Sequence, residues 1–175
     1  MSKQPEKANS WRKISLGSDK LKLFFLMHLD RIYAAKFHLI SKLPILANEA
    51  QFYELKKAIA ETVGEVEKQI ARMQLIYTLL DSEVSTGSIH GVAGLIDDAF
   101  EAINQQSGEP ELQDLSIIFY LQNIESVEMA SFQILQMAAA KLKNEQISKL
   151  LKENFDDAKS DRILLLLISS KYIVR

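Results

Sequence analysis

Two glutamates lie three residues apart in an otherwise largely apolar stretch, FYLQNIESVEMASF at residues 119–132. Counted at alternating steps of three and four, Glu125 and Glu128 fall on the same helical stripe as Leu121 and Phe132. The spacing therefore predicts that both carboxylates face the interior of a helical protein. Because an isolated buried carboxylate costs several kcal/mol, a metal ion or a basic side chain is expected to lie opposite them.

The other long predicted helices also carry polar residues near their midpoints, where the apolar stripe is interrupted. Antiparallel helices of similar length bring their midpoints to one level, so these residues are expected to form a single layer across the protein. The candidate buried polar layer, or set of vestigial metal ligands, comprises Lys36, Glu61, Glu125, Glu128, Asp157 and Asp161.

This residue set does not match the usual chemistry of a two-metal centre in a helical bundle. Such centres use a glutamate from each of two helices and a Glu-x-x-His pair from each of the other two. His28, His38 and His90 do not lie three residues beyond a glutamate in the later helices. Lys36 supplies donors and no lone pair, so it would repel a cation. No catalytic residue, cofactor or metal site is therefore predicted, and the sequence does not indicate an enzyme.

Helix boundaries follow from capping residues and prolines. Ser18, Asn144 and the pair Asn48 and Gln51 are predicted caps, and Pro110 suits the first position of a helix. The predicted long helices run from 18 to about 44–47, from 48 to the SEVSTGS stretch at 82–88, from 110 to about 141, and from 144 to about 172. A shorter helix, capped by Ser88, is predicted between Gly87 and Pro110.

The lengths of the connections predict the fold. The first two and the last two long helices are joined by a few residues, whereas nearly thirty residues separate the second from the third. This arrangement predicts an all-α, ferritin-like antiparallel four-helix bundle whose long crossover contains a shorter helix. The bundle is expected to span residues 18–175, and residues 1–17 are expected to form a polar N-terminal tail or arm.

Composition limits the kind of protein further. The 175 residues are 47% hydrophobic and 25% charged, with a net charge of −2, which favours a globular protein and does not indicate nucleic-acid binding. No stretch is long enough to predict a membrane span. The absence of cysteine excludes disulfides and thiolate sites and favours a reducing compartment, so we expect a cytoplasmic protein. A homodimer through an apolar helix face is expected as well.

Several stretches, in this order and at this spacing, resemble the YciE/YciF-type ferritin-like bacterial stress proteins. The stretches are LDRIYAAKFHLISKLPILA (29–47), LKKAIAETVGEVEKQI (55–70), GLIDDA (94–99), IESVEMASF (124–132) and LLKENFDDAKSDRIL (150–164). The resemblance extends from about Leu21 to Ile173. It implies a ferritin-like fold and a stress-related role.

The chain departs from the pattern of that family at several metal-ligand positions. Lys36 stands where the family usually has glutamate, and Ala58 stands where it usually has histidine. The family's Glu-His-x-Glu is replaced by a segment in which Ser126 follows Glu125, so both carboxylates remain without the histidine. Asp157 and Asp161 match the acids of the last helix. The resemblance therefore implies the fold and argues against metal binding.

Two functional hypotheses follow, with a third interpretation beside them. In the first, a non-enzymatic bundle has lost its two-metal centre, and Lys36 is the internal counterion of Glu125, Glu128 and Asp157. In the second, mid-helix Glu and Asp side chains bind iron, manganese or another hard cation. In the third, the polar residues are partly solvated and the predicted register is wrong by one residue, most readily at Glu61 and Glu65.

Overall fold

The computed structural model describes residues 16–85 and 91–174, and in this part of the chain all regular structure is helical. The helices are α1 (Ser18–Glu49), α2 (Tyr53–Leu79), α3 (Val92–Asn104), α4 (Pro110–Lys141) and α5 (Glu145–Ile173). α1 packs on α2 and α4 on α5 as two hairpins, while α3 in the crossover packs on α1 and α4. The predicted all-α four-helix bundle with a shorter crossover helix is confirmed. Most of the predicted N-terminal tail lies outside the described residues.

The apolar stripes predicted for α1 and α4 form the core. Phe25, Leu29, Leu39 and Leu43 of α1 are fully buried, and Phe132 of α4 is buried against them in the same cluster. Burial of these side chains provides most of the driving force for folding, at ~1.5–3 kcal/mol for each large side chain. The polar residues of the stripes are therefore surrounded by apolar side chains rather than by water.

α1 is longer than predicted. Pro44 lies inside the helix, which continues to Glu49. A proline inside a helix removes one backbone hydrogen bond and usually ends or bends the helix. Leu43 and Leu46, on either side of Pro44, are both buried, so packing of the last turn outweighs this loss.

A side chain of α4 binds the backbone just before the start of α2. The carboxylate Oδ2 of Asp114 in α4 accepts hydrogen bonds from the backbone N–H of Gln51, at 2.8 Å, and of Phe52, at 2.5 Å. The predicted capping box of Asn48 and Gln51 is wrong, because α2 begins only at Tyr53 and the Gln51 side chain donates to the carbonyl of Glu49 instead.

The remaining predicted caps have different outcomes. Asn144 caps α5 as predicted, since its Oδ1 accepts from the N–H of Ile147 at 3.0 Å. Ser18 is the first residue of α1, preceded by Gly17, and makes no capping bond. The predicted cap Ser88 lies outside the described residues. Gly91 precedes α3 with a φ of 131°, a conformation that favours glycine.

The buried side of α5 lies one residue away from its predicted position at Asp157. Asp157 was expected to face the core, but its neighbour Ala158 does so; further along, Leu165 is buried and Leu164 is partly exposed. The run ILLLLI at 163–168 places an apolar residue in every register, so the sequence there cannot distinguish the buried stripe from its neighbour. This shift turns Asp157 away from the centre.

Candidate functional site: a buried charge cluster

Lys36 and Glu128 form an ion pair inside the bundle. Lys36 lies on α1 between the buried residues Ile32 and Leu39, and Glu128 lies on α4. The Lys36 ammonium donates a hydrogen bond to Oε2 of Glu128, and the two side chains are 0% and 1% exposed. Lys36 and Glu128 thus both face the interior, as predicted from the sequence, and there they bring a basic and an acidic group together.

Glu125 is the second buried carboxyl of this cluster, one helical turn before Glu128, and is 2% exposed. Burial raises the pKa of Glu125 well above its ordinary value, and the Glu128 charge raises it further, while the Lys36 ammonium opposes both effects. The environment therefore favours the protonated form of Glu125. Oε2 of Glu125 and Oε1 of Glu128 accept no hydrogen bond from the described residues.

The Lys36 ammonium is stabilised in its charged form by the carboxylates around it. Burial by itself lowers the pKa of Lys36, but the charges of Glu128 and Glu125 and the hydrogen bond to Glu128 outweigh burial, so that its pKa is raised. A buried lysine without such partners would lose its proton more easily. The cluster is therefore held together by a cation that belongs to the protein itself.

Asp161 lies at the edge of the cluster on α5 and is half-buried. Burial raises the pKa of Asp161 to about 6, and the Lys36 ammonium only partly opposes this change. The next residue, Arg162, donates from Nε to the hydroxyl of Ser126 on α4 at 2.8 Å. Ser126, which stands where the resembled family has histidine, thus bonds to a residue of α5.

Asp157 does not belong to the cluster around Lys36, contrary to prediction. Arg72 of α2 donates to Oδ2 of Asp157 at 2.5 Å and to Oδ1 of Asn154 at 3.1 Å, and its Nε lies 3.2 Å from Oε2 of Glu153. The one-residue shift of the α5 stripe points Asp157 toward α2. Arg72 had no predicted partner, although its place beside the buried Met73 indicates that its head group lies near a helix interface.

Glu61 also lies away from the cluster. Its side chain is 60% exposed, with Oε1 3.6 Å from Nζ of Lys57 on the same helix. Ala58, Ile59 and Thr62 are the residues of this turn that are buried. The expectation that Glu61 faces the interior is therefore corrected, and the third interpretation, a register wrong by one residue, holds at this position.

The cluster does not fit a two-metal centre. In residues 16–85 and 91–174, no group of three His, Asp or Glu side chains is placed to hold a metal ion. The Lys36 ammonium faces the carboxylates, and it cannot ligate a cation. Neither of the described histidines, His28 and His38, is part of the cluster. Oε2 of Glu125 and Oε1 of Glu128 are buried without a hydrogen bond from the described residues, and two oxygens are fewer than the roughly six or more ligands that magnesium or calcium takes.

A membrane-spanning role finds no support in the described helices, since none is long and apolar enough to cross a bilayer.

The sequence is similar to that of a bacterial protein. The chain is 28% identical over 142 residues to Protein YciF of Escherichia coli strain K12, covering 81% of this chain and 85% of that protein.

Solved structures show the same fold. The crystal structure of the E. coli stress protein YciF superposes with a TM-score of 0.83 at 24% identity, covering 89% of this chain and 98% of that one. YcfI of Rhodopseudomonas palustris gives a TM-score of 0.79 at 24% identity, covering 89% and 96%. A protein of Xanthomonas campestris gives 0.67 at 17% identity, covering 88% and 94%.

The predicted resemblance to the YciE/YciF-type proteins is confirmed by these similarities. In addition, residues 20–171 match a family described as a domain of unknown function, DUF892. Since that match spans most of the sequence, the chain belongs to the DUF892 family.

Proposed function

We propose that this protein is a non-enzymatic, ferritin-like bundle of the cytoplasm with a stress-related role, in which Lys36 replaces the charge of a lost two-metal centre. The similarity to the stress protein YciF supports the role, and the helical architecture supports the ferritin-like type. The observation that carries the proposal is the buried ion pair of Lys36 and Glu128.

The energetics of burial support an internal counterion. Removing two charges from water costs several kcal/mol per ion. The attraction between the two charges in the core offsets this cost only when their hydrogen-bond geometry is good. Glu128 accepts a hydrogen bond from the ammonium, and the raised pKa of Glu125 reduces the negative charge that has to be offset. The Lys36 ammonium therefore offsets the charge of Glu128, as bound ions do for the carboxylates of a metal protein.

Binding of a hard cation is the second candidate, and one observation favours it. Oε2 of Glu125 and Oε1 of Glu128 are buried without a hydrogen bond from the described residues, and oxygen atoms of this kind are ligands for magnesium, calcium or manganese. A cation beside them would lie close to the Lys36 ammonium. Repulsion between these charges is the reason that we place metal binding second.

Metal content separates the two candidates. The protein, purified without chelators and analysed by inductively coupled plasma mass spectrometry, is expected to carry less than about 0.1 equivalent of iron or manganese. Stoichiometric metal in this sample would overturn the proposal. Lys36→Glu tests whether the ammonium prevents cation binding. The substitution removes the ammonium and adds a carboxylate, so the variant is expected to bind more added Mn²⁺ than the wild type. Lys149→Gln on the exposed side of α5 is the matched control.

We also propose that two copies associate through the solvent side of α4 and α5. Residues 163–170 carry no charge, and several apolar side chains of this side are between 46% and 63% exposed: Phe119, Ile163, Leu166, Leu167 and Ile173. Together they expose on the order of 500 Å² of apolar surface, which is near the upper limit for a monomer and suits the centre of an interface of ~800 Å² per partner. A second copy offers the same uncharged surface.

A further inference from the structure

A cavity of about 500 Å³ lies where α3 ceases to cover the groove between α1 and α4. α3 packs on both helices through Ile96, Ala99, Phe100 and Ile103, and its first residue is Val92. Of the described residues at this end of α3, Gly91 and Val92 line the cavity. The volume falls within the ~300–1,000 Å³ range of small-molecule sites.

The walls of the cavity are apolar. Phe24 and Ile32 of α1 face Val127, Ile134 and Leu135 of α4 across it. Ile134 is 51% exposed, so the groove leaves a large aliphatic side chain in contact with water. An apolar chain placed between the two helices would cover this surface, and the gain in free energy would come from the apolar area removed from water.

The polar groups of the cavity are basic. His28 and Arg31 line it, and none of the described lining residues is acidic. The Phe24 ring packs against the His28 imidazole, with centroids 4.4 Å apart, which fixes the position of the imidazole at the rim.

Arg31 is the basic group best suited to bind a ligand. It is exposed and makes no ion pair or hydrogen bond with the described residues, whereas His38, further along the same helix, is paired with Asp97 at 2.5 Å. A guanidinium binds carboxylates with two parallel hydrogen bonds. The cavity therefore has one end that favours an anion.

The remaining polar atom in the wall is already bonded. The hydroxyl of Ser131 donates to the carbonyl of Val127 at 2.8 Å. A sugar, a nucleobase or a peptide would bury polar groups against these walls without partners, at a cost for each group. A ligand that is polar at one end only has no such cost.

We propose that this cavity binds a free single-chain carboxylate of the medium-chain fatty-acid class. Its carboxylate pairs with Arg31 near His28, and its alkyl chain lies between α1 and α4. The site shares no residue with the Lys36 cluster, so this proposal and the proposed function stand independently.

Isothermal titration of the full-length protein with sodium decanoate tests the proposal. Saturable binding of one molecule per chain is expected at concentrations below micelle formation. Arg31→Gln is expected to weaken binding at least tenfold, because hydrogen bonds to a charged group are lost. Lys149→Gln, which removes an exposed positive charge from α5, is the matched control and is expected to bind as the wild type does.

Two further comparisons test the chain and the shape of the site. Decan-1-ol and decylammonium have the same alkyl chain without the anion, and both are expected to bind at least tenfold more weakly than decanoate. Ala130→Phe, at an exposed position lining the cavity, is expected to block decanoate while the circular dichroism spectrum remains that of the wild type.

Several results would overturn the proposal. Absence of saturable binding is one, and equal binding by Arg31→Gln or by decan-1-ol is another. Sedimentation with phosphatidylglycerol vesicles without decanoate binding would identify a membrane contact instead. A change of molar mass for Ala130→Phe in light scattering, again without decanoate binding, would identify a surface for a second protein chain.

Discussion

At the scale of single residues, the pairing of Lys36 with Glu128 determines how the core tolerates charge. Removing one member of a buried ion pair leaves the other without a partner, which typically costs ~3–5 kcal/mol, whereas replacing both by uncharged groups is often neutral. Because Glu125 is favoured in its protonated form, Glu128 is the carboxylate that depends on the ammonium.

Lys36→Met is therefore expected to lower the free energy of unfolding by ~3–5 kcal/mol, and Lys36→Met/Glu128→Gln is expected to recover a large part of this loss. Urea denaturation at neutral pH, followed by circular dichroism, measures both. Lys57→Met, at a position 65% exposed, is the control and is expected to change stability by less than about 0.5 kcal/mol. The counterion role is refuted if the single variant is no less stable than the double variant.

Asp161 gives the cluster a pH dependence whose sign can be worked out. Its pKa rises from 3.8 in the unfolded chain to about 6 in the folded protein, so the folded state retains its proton more readily. Protonated Asp161 therefore stabilises the folded state at low pH. This stabilisation is lost as the pH rises through the pKa that Asp161 has in the folded protein. The charged groups that act on Asp161 are Lys36, Glu65, Asp157 and Glu128.

The difference in unfolding free energy between Asp161→Asn and the wild type is expected to shift in favour of the variant as the pH rises from about 4 to 7. An amide cannot ionise, so the variant does not lose the stabilisation that the wild type loses. Urea denaturation at intervals of one pH unit measures this difference. Glu111→Gln, an exposed acid on α4, is the control. A difference that stays constant with pH would contradict the prediction.

Which residues of α1 and α4 face the interior could be predicted from the sequence. For α2 and α5 this was possible only in part. The stripes of α1 and α4 have one apolar register, which placed Lys36, Glu125 and Glu128 correctly in the interior. Glu61 and Asp157 were misplaced because an acid one position from a buried residue, at about 100° on the helix, can be assigned to either side. Only the packing of several helices decides between them.

At the scale of secondary-structure elements, the link between the first hairpin and α4 depends on Asp114. Its carboxylate, 0% exposed, accepts from two backbone N–H groups at the start of α2. Burial raises the pKa of Asp114, and these hydrogen bonds oppose the change. The start of α2 is thus held by a residue sixty positions away in the sequence, and capping rules based on neighbouring residues could not identify it.

Asp114→Ala is expected to lower the free energy of unfolding by ~1–2 kcal/mol, since it leaves the backbone N–H groups of Gln51 and Phe52 without their hydrogen-bond acceptor. Asp114→Asn keeps an accepting oxygen and is expected to lose less, mainly the ~0.3–1 kcal/mol attraction between a negative charge and a helix N-terminus. Thermal and urea unfolding measure both variants. Equal losses for alanine and asparagine would show that the accepting oxygen is not what matters.

At the scale of the whole molecule, the fold was the most predictable property. Four long helices with apolar stripes, joined in pairs by two short connections, can pack in only a few ways. The long crossover then joins the two hairpins into one bundle. The exposed apolar surfaces, on which the proposed dimer and the proposed ligand site rest, could not be predicted, because an exposed apolar residue and a core residue look alike in a sequence. Leu165 is buried, while its neighbours Leu166 and Leu167 are 51% and 63% exposed.

The proposed association through α4 and α5 can be tested with one charge. Leu166 lies near Phe119 along the helix axes, to within about one turn, given the bond between Arg162 and Ser126. The wild type is expected to show twice its 19.8 kDa mass in size-exclusion chromatography with light scattering. Leu166→Glu is expected to weaken the dimer at least tenfold, because a carboxylate would be buried opposite its own copy. Leu23→Glu, at a position on α1 that is 69% exposed, is the control and should remain dimeric. A monomeric wild type, or dissociation by the control alone, would refute this interface.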